Sequence, residues 1–281
     1  MFTYKKTETP IITFKISSEV YLDKIYGMLD DIVNLNICCV FLAFDLSDML
    51  IVNKEKYHQM INCFSKKGID IFAIISIDNI NNIEQIVELE NIIITNVNTS
   101  QVEELCNVYP NAFLTVNFSV KEVDDVIKQR KVHDNIILNP SINYCDCDEY
   151  NYVFGKIFSS LSGEDIMLDP IILPISQIKD HPCNVYLCDG SNCHSSHSSV
   201  ARNIFVDAKG DAWIYGFFPK NRSIGNIYNN SLSSIIDTYK VSDDCKMFVA
   251  ANRKLFMDVI DKYYLSTIPW FKYLEASLNN E

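Results

Sequence analysis

The sequence predicts an α/β fold, a partial (β/α) barrel of about six parallel strands followed by a smaller region with a β-hairpin and helices. The apolar runs in the first part are nearly continuous, as required for parallel strands that are covered on both faces. Helical patterns separate these runs, and successive runs begin about 20 to 30 residues apart, the length of one βα unit. Six or seven such units fit a partial or complete barrel better than a two-layer fold.

Seven segments have the character of buried parallel strands. Each is short and rich in Ile, Val, Leu or Phe, and polar or turn-forming residues bound it. The predicted strands are residues 11–16, 37–44, 69–76, 92–95, 113–118, 135–138 and 166–173. Because none of them alternates cleanly between apolar and polar residues, the sequence predicts one parallel sheet.

The helices between these strands carry their own start and stop signals. Residues 100–103 (Ser-Gln-Val-Glu) and 119–122 (Ser-Val-Lys-Glu) are predicted capping boxes, in which two side chains bond the free amides of a helix start. Asn53 can cap a third helix, which Gly68 ends in the left-handed conformation. The apolar stripe of that helix comprises Tyr57, Met60, Ile61 and Phe64.

The composition and the periodicity of the sequence change after Pro174, which predicts two units, residues 1–175 and residues 176–281. Residues 175–200 are rich in Ser, Cys and His and show little periodicity. A hairpin pattern comes next, and a helical stretch over residues 244–278 ends the chain. The boundary is predicted near residues 175–182.

Composition narrows the classes of partner. The formal net charge is −12, and counterion release on nucleic acid needs clustered Lys and Arg, so no nucleic-acid partner is expected. The longest apolar runs are shorter than a membrane helix, and the N-terminus lacks an apolar signal segment. We therefore expect no membrane partner and a cytoplasmic location. Ten cysteines are then expected to be reduced, and four are predicted core residues: Cys38, Cys39, Cys63 and Cys106.

Several common catalytic signatures are missing. The eight glycines form neither G-x-G-x-x-G nor G-x-x-x-x-G-K-[ST], so the bare backbone that binds phosphates in those folds is lacking. No G-x-S-x-G elbow and no H-E-x-x-H helix occurs either. The familiar dinucleotide, P-loop, serine hydrolase and zinc protease classes are disfavoured.

One cluster has the residue types of a metal site. Cys183, Cys188 and Cys193 lie close to His194 and His197 in a loop-like stretch, and thiolate and imidazole are the ligands that zinc and iron–sulfur centres prefer. The predicted metal ligands are Cys183, Cys188, Cys193 and His197. The gaps of four residues between cysteines are at the loose end of the usual range, and a loop with solvated thiols is the alternative.

Weaker candidates lie at predicted strand ends, where a barrel places its active-site loops. Asp45, Asp78 and Asp169 could act as general bases, although nothing in the sequence pairs them. Residues 145–147 (Cys-Asp-Cys) follow a strand, and a turn is their favoured interpretation.

Trp213 and Tyr215 alternate along one predicted strand, which places them on one face of the hairpin. A packed hairpin face is the simpler interpretation. The alternative is a peptide-binding platform, because large aromatic side chains can receive the side chains of a peptide.

Residues 197–236 resemble the SPASM or "twitch" region that follows the barrel in radical SAM peptide-modifying enzymes. Residues 204–214 match its hairpin, with Gly210 at the turn, and residues 225–227 (Gly-Asn-Ile) match its loop. Ser231, Leu232 and Ile235 match the helix after that loop. The βα pattern of residues 1–175 is similar to the partial barrel of the same superfamily.

The cluster ligands of that family are missing from their places. Its C-x-x-x-C-x-x-C motif follows the first strand, where residues 15–23 contain no cysteine, and the glycine-rich turn expected after the second strand is replaced by residues 44–50. His197 and Tyr215 occupy two auxiliary-cluster cysteine places, and downstream only Cys245 remains. The resemblance without these ligands implies no S-adenosylmethionine and no radical chemistry.

The resemblance implies a pseudoenzyme or accessory protein that binds a precursor or substrate peptide made on the ribosome. Such a protein would work with a modifying enzyme, for example an ATP-grasp ligase, and Trp213 and Tyr215 would contact the peptide. A metal-dependent enzyme that uses zinc or an iron–sulfur centre at Cys183–His197 is the alternative. A third possibility is an unrelated barrel enzyme whose hairpin is similar by chance.

Overall fold

A computed structural model describes residues 11–16, 19–37, 39–44, 54–80, 91–141, 147–161, 203–214 and 223–243. These residues form one nine-stranded sheet with α-helices packed against it. The strands are β1 (Ile11–Ile16), β2 (Cys39–Phe44), β3 (Asp70–Ser76), β4 (Ile92–Asn98), β5 (Phe113–Phe118), β6 (Ile136–Pro140), β7 (Asn203–Val206), β8 (Asp211–Ile214) and β9 (Gly225–Asn226).

The sheet is mostly parallel. Its strand order is β6-β5-β4-β3-β2-β1-β7-β8-β9, and every neighbouring pair from β6 to β7 is parallel. The β7–β8 and β8–β9 pairs are antiparallel. The first six predicted strands are confirmed to within a few residues, whereas the seventh, residues 166–173, lies outside the described residues.

The described α-helices follow the strands as a βα pattern requires. They are α1 (Glu19–Gly27), α2 (Leu29–Asn34), α3 (Lys54–Ser65), α4 (Val102–Val108), α5 (Val123–Val132), α6 (Cys147–Ser160) and α7 (Leu232–Val241). Short 3₁₀ turns, Thr99–Gln101 and Val120–Glu122, lead into α4 and α5. None of the helices among these residues is long and apolar enough to cross a membrane.

Two helix starts test the predicted capping boxes. The box of Ser119 and Glu122 is confirmed. The box predicted at residues 100–103 is wrong, because Asn98 and Gln101 form it two residues earlier. Strand β4 continues to Asn98, so the chain turns there and the first helical amides follow at once.

Helix α3 packs through the predicted stripe. Tyr57, Met60 and Phe64 are buried, and Ile61 is partly buried against the same core. Gly68 has φ +74°, which confirms the left-handed residue after the helix. The predicted cap, Asn53, lies outside the described residues.

The described helices all pack on one face of the sheet. The larger apolar cluster combines strand residues such as Phe14 and Phe118 with residues of every described α-helix, including Phe64 and Phe154. A smaller cluster, built around Phe41 and other strand residues, lies on the opposite face. The described residues therefore form a mixed α/β fold, with helices on one face of a mostly parallel sheet and strand side chains alone on the other.

The hairpin shares the core of the preceding strands. Strand β7 pairs with β1, and Ile204, Val206 and Ala212 are buried in the larger cluster. Helix α7 is tied to α2, because the Ser233 hydroxyl donates to Asp31 Oδ1 at 2.8 Å. The predicted boundary near residue 175 lies outside the described residues.

The Gly-Asn-Ile loop closes the hairpin turn. Asn226 Nδ2 donates to the Lys209 carbonyl and to Asp211 Oδ1, both at 3.0 Å. The backbone N–H of Ile227 donates to the Gly210 carbonyl at 2.9 Å. These bonds satisfy polar groups of the turn and connect the loop to it.

Candidate functional site

The candidate site lies on the sheet face opposite the described helices, hereafter the inner face. Side chains alternate between the two faces along a strand. On β1, Phe14 and Ile16 are buried among the helices, so Thr13 and Lys15 point to the inner face. Lys15 is exposed.

An aromatic row crosses the inner face, and its members on β8, β7, β2 and β3 lie at a single level of the strand register. Trp213 on β8 is paired with Phe205 on β7, and Phe205 is paired with Thr13 on β1. Thr13 is paired with Phe41 on β2, which in turn is paired with Phe72 on β3. The aromatic row is defined as Trp213, Phe205, Phe41 and Phe72 together with Phe113 on β5, which pairs with Ile93 and so lies two residues beyond the level of Phe72. It continues from the parallel strands onto the hairpin.

Ring contacts connect the central members of the aromatic row. Phe41 and Phe72 are stacked with centroids 5.4 Å apart, and Phe72 meets Phe113 edge-on at 6.2 Å. Phe41 and Phe72 are each 4% exposed, whereas Phe113, Phe205 and Trp213 are half-buried. The two ends of the row thus keep aromatic surface accessible.

A second row, hereafter the amide row, lies at the carboxyl ends of β3 to β6. Asn139 Nδ2 donates to Asn117 Oδ1 at 2.6 Å, and Asn117 Nδ2 donates to Asn96 Oδ1 at 3.5 Å. Asn96 Nδ2 donates to Ser76 Oγ at 3.2 Å, and Ser76 Oγ donates to Asp78 Oδ2 at 3.4 Å. Neutral amides from three strands are thereby connected to one carboxylate.

Asn96 has an unusual backbone. Its φ is +61°, and the register between β4 and β5 shifts between Ile94 and Val97. This bulge adds a residue to the strand and turns the Asn96 side chain into the amide row, where the residue is exposed. A non-glycine residue in this conformation costs on the order of 1 kcal/mol, and such residues are frequent at functional sites.

Glu122 secures the loops that follow β4 and β5. One carboxylate oxygen accepts from the Ser119 hydroxyl at 2.6 Å and the Ser119 N–H at 2.9 Å, and the other accepts from the Thr99 hydroxyl at 2.6 Å. These bonds, the Ser119 hydroxyl first, lower the pKa of Glu122 to about 2. The loops beside the amide row are therefore joined by an ionised carboxylate.

The structure describes only part of the predicted peptide and metal sites. Trp213 belongs to the aromatic row, while Tyr215 lies outside the described residues. The predicted metal ligands, Cys183, Cys188, Cys193 and His197, also lie outside them. Within the described ranges, no group of three His, Cys, Asp or Glu side chains could hold a metal ion.

The predicted bases and the Cys-Asp-Cys turn are described in part. Asp78 is exposed and receives the last hydrogen bond of the amide row, whereas Asp45 and Asp169 lie outside the described residues. Cys147 begins α6, and Cys145 is outside the described ranges.

The described cysteines show where the core prediction succeeds and where it fails. Cys39 and Cys106 are buried, as predicted, and burial raises the pKa of the Cys106 thiol. The prediction for Cys63 is wrong, because it is half-exposed and its Sγ lies 3.4 Å from the Tyr26 hydroxyl. Cys63 precedes the buried Phe64 on α3 and so falls at the edge of the apolar stripe.

The connection between β1 and α1 does not fit an iron–sulfur cluster. The two residues between these elements, Ser17 and Ser18, lie outside the described residues, and neither is a cysteine. Thiolates are the ligands that such clusters require, and no cysteine precedes Cys38.

The amide row was not predicted from the sequence. A signal for it exists, because the segments that form β4, β5 and β6 each carry an asparagine near the end, at Asn96, Asn117 and Asn139. The carboxyl ends of parallel strands meet at one edge of a sheet, so these side chains could have been grouped.

No protein-family description matches the sequence, and no curated protein matches it either. Among solved structures, the chain is similar to anSMEcpe, an anaerobic sulfatase-maturating radical SAM enzyme with a SPASM domain. Native anSMEcpe with bound AdoMet and Cp18Cys peptide aligns with a TM-score of 0.55 at 10% identity, over 96% of this chain and 95% of that chain. A hexahistidine-tagged form of anSMEcpe with bound AdoMet aligns with a TM-score of 0.54 at 10% identity, with the same shares covered. The chain therefore shares the overall fold of these structures.

Proposed function

We propose that this protein binds a ribosomally made peptide on its inner face and assists a separate modifying enzyme, such as an ATP-grasp ligase. It would recognise the peptide without radical chemistry of its own. The aromatic row carries this proposal, because it joins the sheet and the hairpin into one surface with accessible ends at Trp213 and Phe113.

The fold supports a peptide ligand. The similar structure of anSMEcpe contains a bound peptide together with AdoMet. A shared fold alone does not imply a shared function, so the proposal rests on the surface that this chain presents. Aromatic side chains with accessible faces bury large apolar area on binding and are frequent anchors for peptide side chains.

The lack of cluster-binding cysteines after β1 supports peptide recognition rather than radical catalysis. The two-residue β1–α1 connection, Ser17 and Ser18, supplies no thiolate. Without three thiolates there is no cluster to deliver an electron to S-adenosylmethionine. Peptide binding needs neither group.

Binding to synthetic peptides that are encoded beside the gene tests the proposal. Fluorescence anisotropy of labelled peptide is expected to show saturable binding to the full chain. Trp213→Ala should weaken it about tenfold or more, because a large aromatic anchor is removed. Tyr152→Ala is the matched control, since Tyr152 is 47% exposed on α6, on the helix side of the sheet.

Two results would contradict the proposal. No saturable binding of any neighbouring peptide would remove the function itself, and equal effects of the two alanine variants would remove the aromatic row as the binding surface. The metal content of protein purified without air adds an independent check. About one equivalent of zinc or iron, lost in Cys183→Ser, would favour the metal-dependent enzyme instead.

A further inference from the structure

The hydrogen bonds of the amide row all run in one direction. Each carboxamide donates toward β3, and the last acceptor is the Asp78 carboxylate. Hydrogen bonds that run head to tail polarise one another, so a donor or acceptor that joins the row meets an ordered set of partners. Asn139 Oδ1, at the β6 end, accepts no hydrogen bond from within the row.

Each middle amide of the row keeps bonding capacity for a ligand. A carboxamide has two N–H donors and an oxygen with two lone pairs. Asn117 and Asn96 each use one N–H and one lone pair inside the row. One donor and one acceptor remain on each, which matches the donor and acceptor of a single amide group.

The spacing of the amide row does not match the spacing of successive peptide groups in an extended peptide that lies along the row. Neighbouring strands are about 4.8 Å apart, whereas peptide groups that face the same way along an extended chain repeat about every 6.6 Å. The row therefore fits one amide group of a ligand at a time.

The aromatic row lies at a fixed distance from the amide row, toward the amino-terminal ends of the same strands. Phe72 precedes Ser76 by four residues on β3, and Phe113 precedes Asn117 by four residues on β5. Four residues of extended chain span about 13 Å. A peptide that runs along the strands would therefore reach both rows with positions four residues apart.

We propose that the amide row binds an amide group of the peptide, from its main chain or from an Asn or Gln side chain, four residues from an aromatic or apolar side chain held by the aromatic row. This inference rests on the proposed function and defines its ligand. An anionic group is disfavoured at the same place, because the row ends on Asp78 and repulsion between like charges would weaken binding.

A purely structural ladder is the competing explanation, since stacked asparagines also stabilise in-register strands. Asn96→Gly separates the two. The substitution removes the side chain, but glycine adopts a φ of +61° without strain. The stability lost with the hydrogen bonds is therefore offset by the removal of backbone strain. Asn36→Gly is the matched control, because Asn36 is exposed, has φ +55° and follows α2 away from the row.

The probes are acetylated pentapeptide amides with Phe at position one and Gln, Ala or Glu at position five, with alanines between. Nuclear magnetic resonance titration of the full chain is expected to show binding of the Gln and Ala peptides and at least fivefold weaker binding of the Glu peptide. Asn96→Gly should weaken the binding of the Gln and Ala peptides about fivefold to tenfold, and Asn36→Gly should leave their binding unchanged. If the Gln peptide binds more tightly than the Ala peptide, the amide row binds a side-chain amide. If the two peptides bind equally, the row binds a main-chain amide.

The inference is overturned if wild-type protein binds none of the three probes at millimolar concentration. It is also overturned if Asn96→Gly binds like the wild type, or if Glu binds best. Failure of the proposed function is distinct from these results. The proposed function fails if the full-length neighbouring peptides do not bind to the wild-type chain. If they bind and Asn96→Gly does not change their affinity, only this inference is contradicted.

Discussion

The carboxylate of Glu122 offers the sharpest test of how the strand-end loops are stabilised. Glu122→Gln keeps the shape of the side chain but removes the charge that accepts from Ser119 and Thr99. A hydrogen bond to a charged group is worth about 1.5–3 kcal/mol, and a neutral one about 0.5–1.5 kcal/mol. The two hydroxyl bonds at 2.6 Å thus lose about 2 kcal/mol together.

Solvent reduces that figure, because Glu122 is only partly buried. Partly exposed charges are screened, and we expect the free energy of unfolding to fall by about 1 kcal/mol at pH 7. Urea unfolding followed by fluorescence measures it, with an unchanged slope against denaturant. Glu103→Gln is the matched control, since Glu103 is exposed in the first turn of α4, and it should shift stability by less than about 0.5 kcal/mol.

The pH dependence gives an independent result. The pKa of Glu122 is lowered to about 2 in the folded chain from an ordinary value of 4.5. A lowered pKa means that the stabilisation is fully present above pH 4.5 and is lost as the pH falls toward 2. The stability difference between wild type and Glu122→Gln should therefore shrink between about pH 5 and about pH 3. A difference that stays constant over this range, or a Glu122→Gln effect no larger than that of Glu103→Gln, would refute the reasoning.

Two further substitutions test the hairpin and its attachment. Gly210→Ala should lower the free energy of unfolding by about 2 kcal/mol, because Gly210 has φ +82° and a Cβ there would lie 2.5 Å from the Tyr228 ring. Gly27→Ala, with no atom within 4 Å of its Cβ position, should not destabilise the chain in the same urea measurement. Ser233→Ala removes the 2.8 Å bond to Asp31, so hydrogen exchange of the α7 amides should become about tenfold faster. Unchanged exchange would show that apolar packing alone holds α7.

Local sequence determined most of the secondary structure. Strands β1 and β5 have the predicted bounds, because each apolar run ends where polar residues begin. The capping box of Ser119 and Glu122 is also as predicted, since its hydrogen bonds involve only neighbouring residues. The predicted α/β fold is supported by the similar solved structure, which aligns over 96% of this chain.

Local patterns were insufficient where two signals competed. Ser100 and Glu103 have the spacing of a capping box, but Asn98 and Gln101 satisfy the same rule and form it. The choice depends on where β4 ends, and that is decided by its pairing with β5 beyond the bulge. A capping motif alone could not select between the two.

The tertiary structure alone decided which residues share a surface. Trp213 and Thr13 are far apart in the chain, yet β7 pairs with β1 and places them on one level of the inner face. The amide row likewise needs the register of four strands to bring Asn139 to Asn117 and Ser76 to Asn96. Sequence periodicity specifies which face a side chain takes. Register between strands depends on how the connecting helices pack, and that packing involves contacts across the whole sheet.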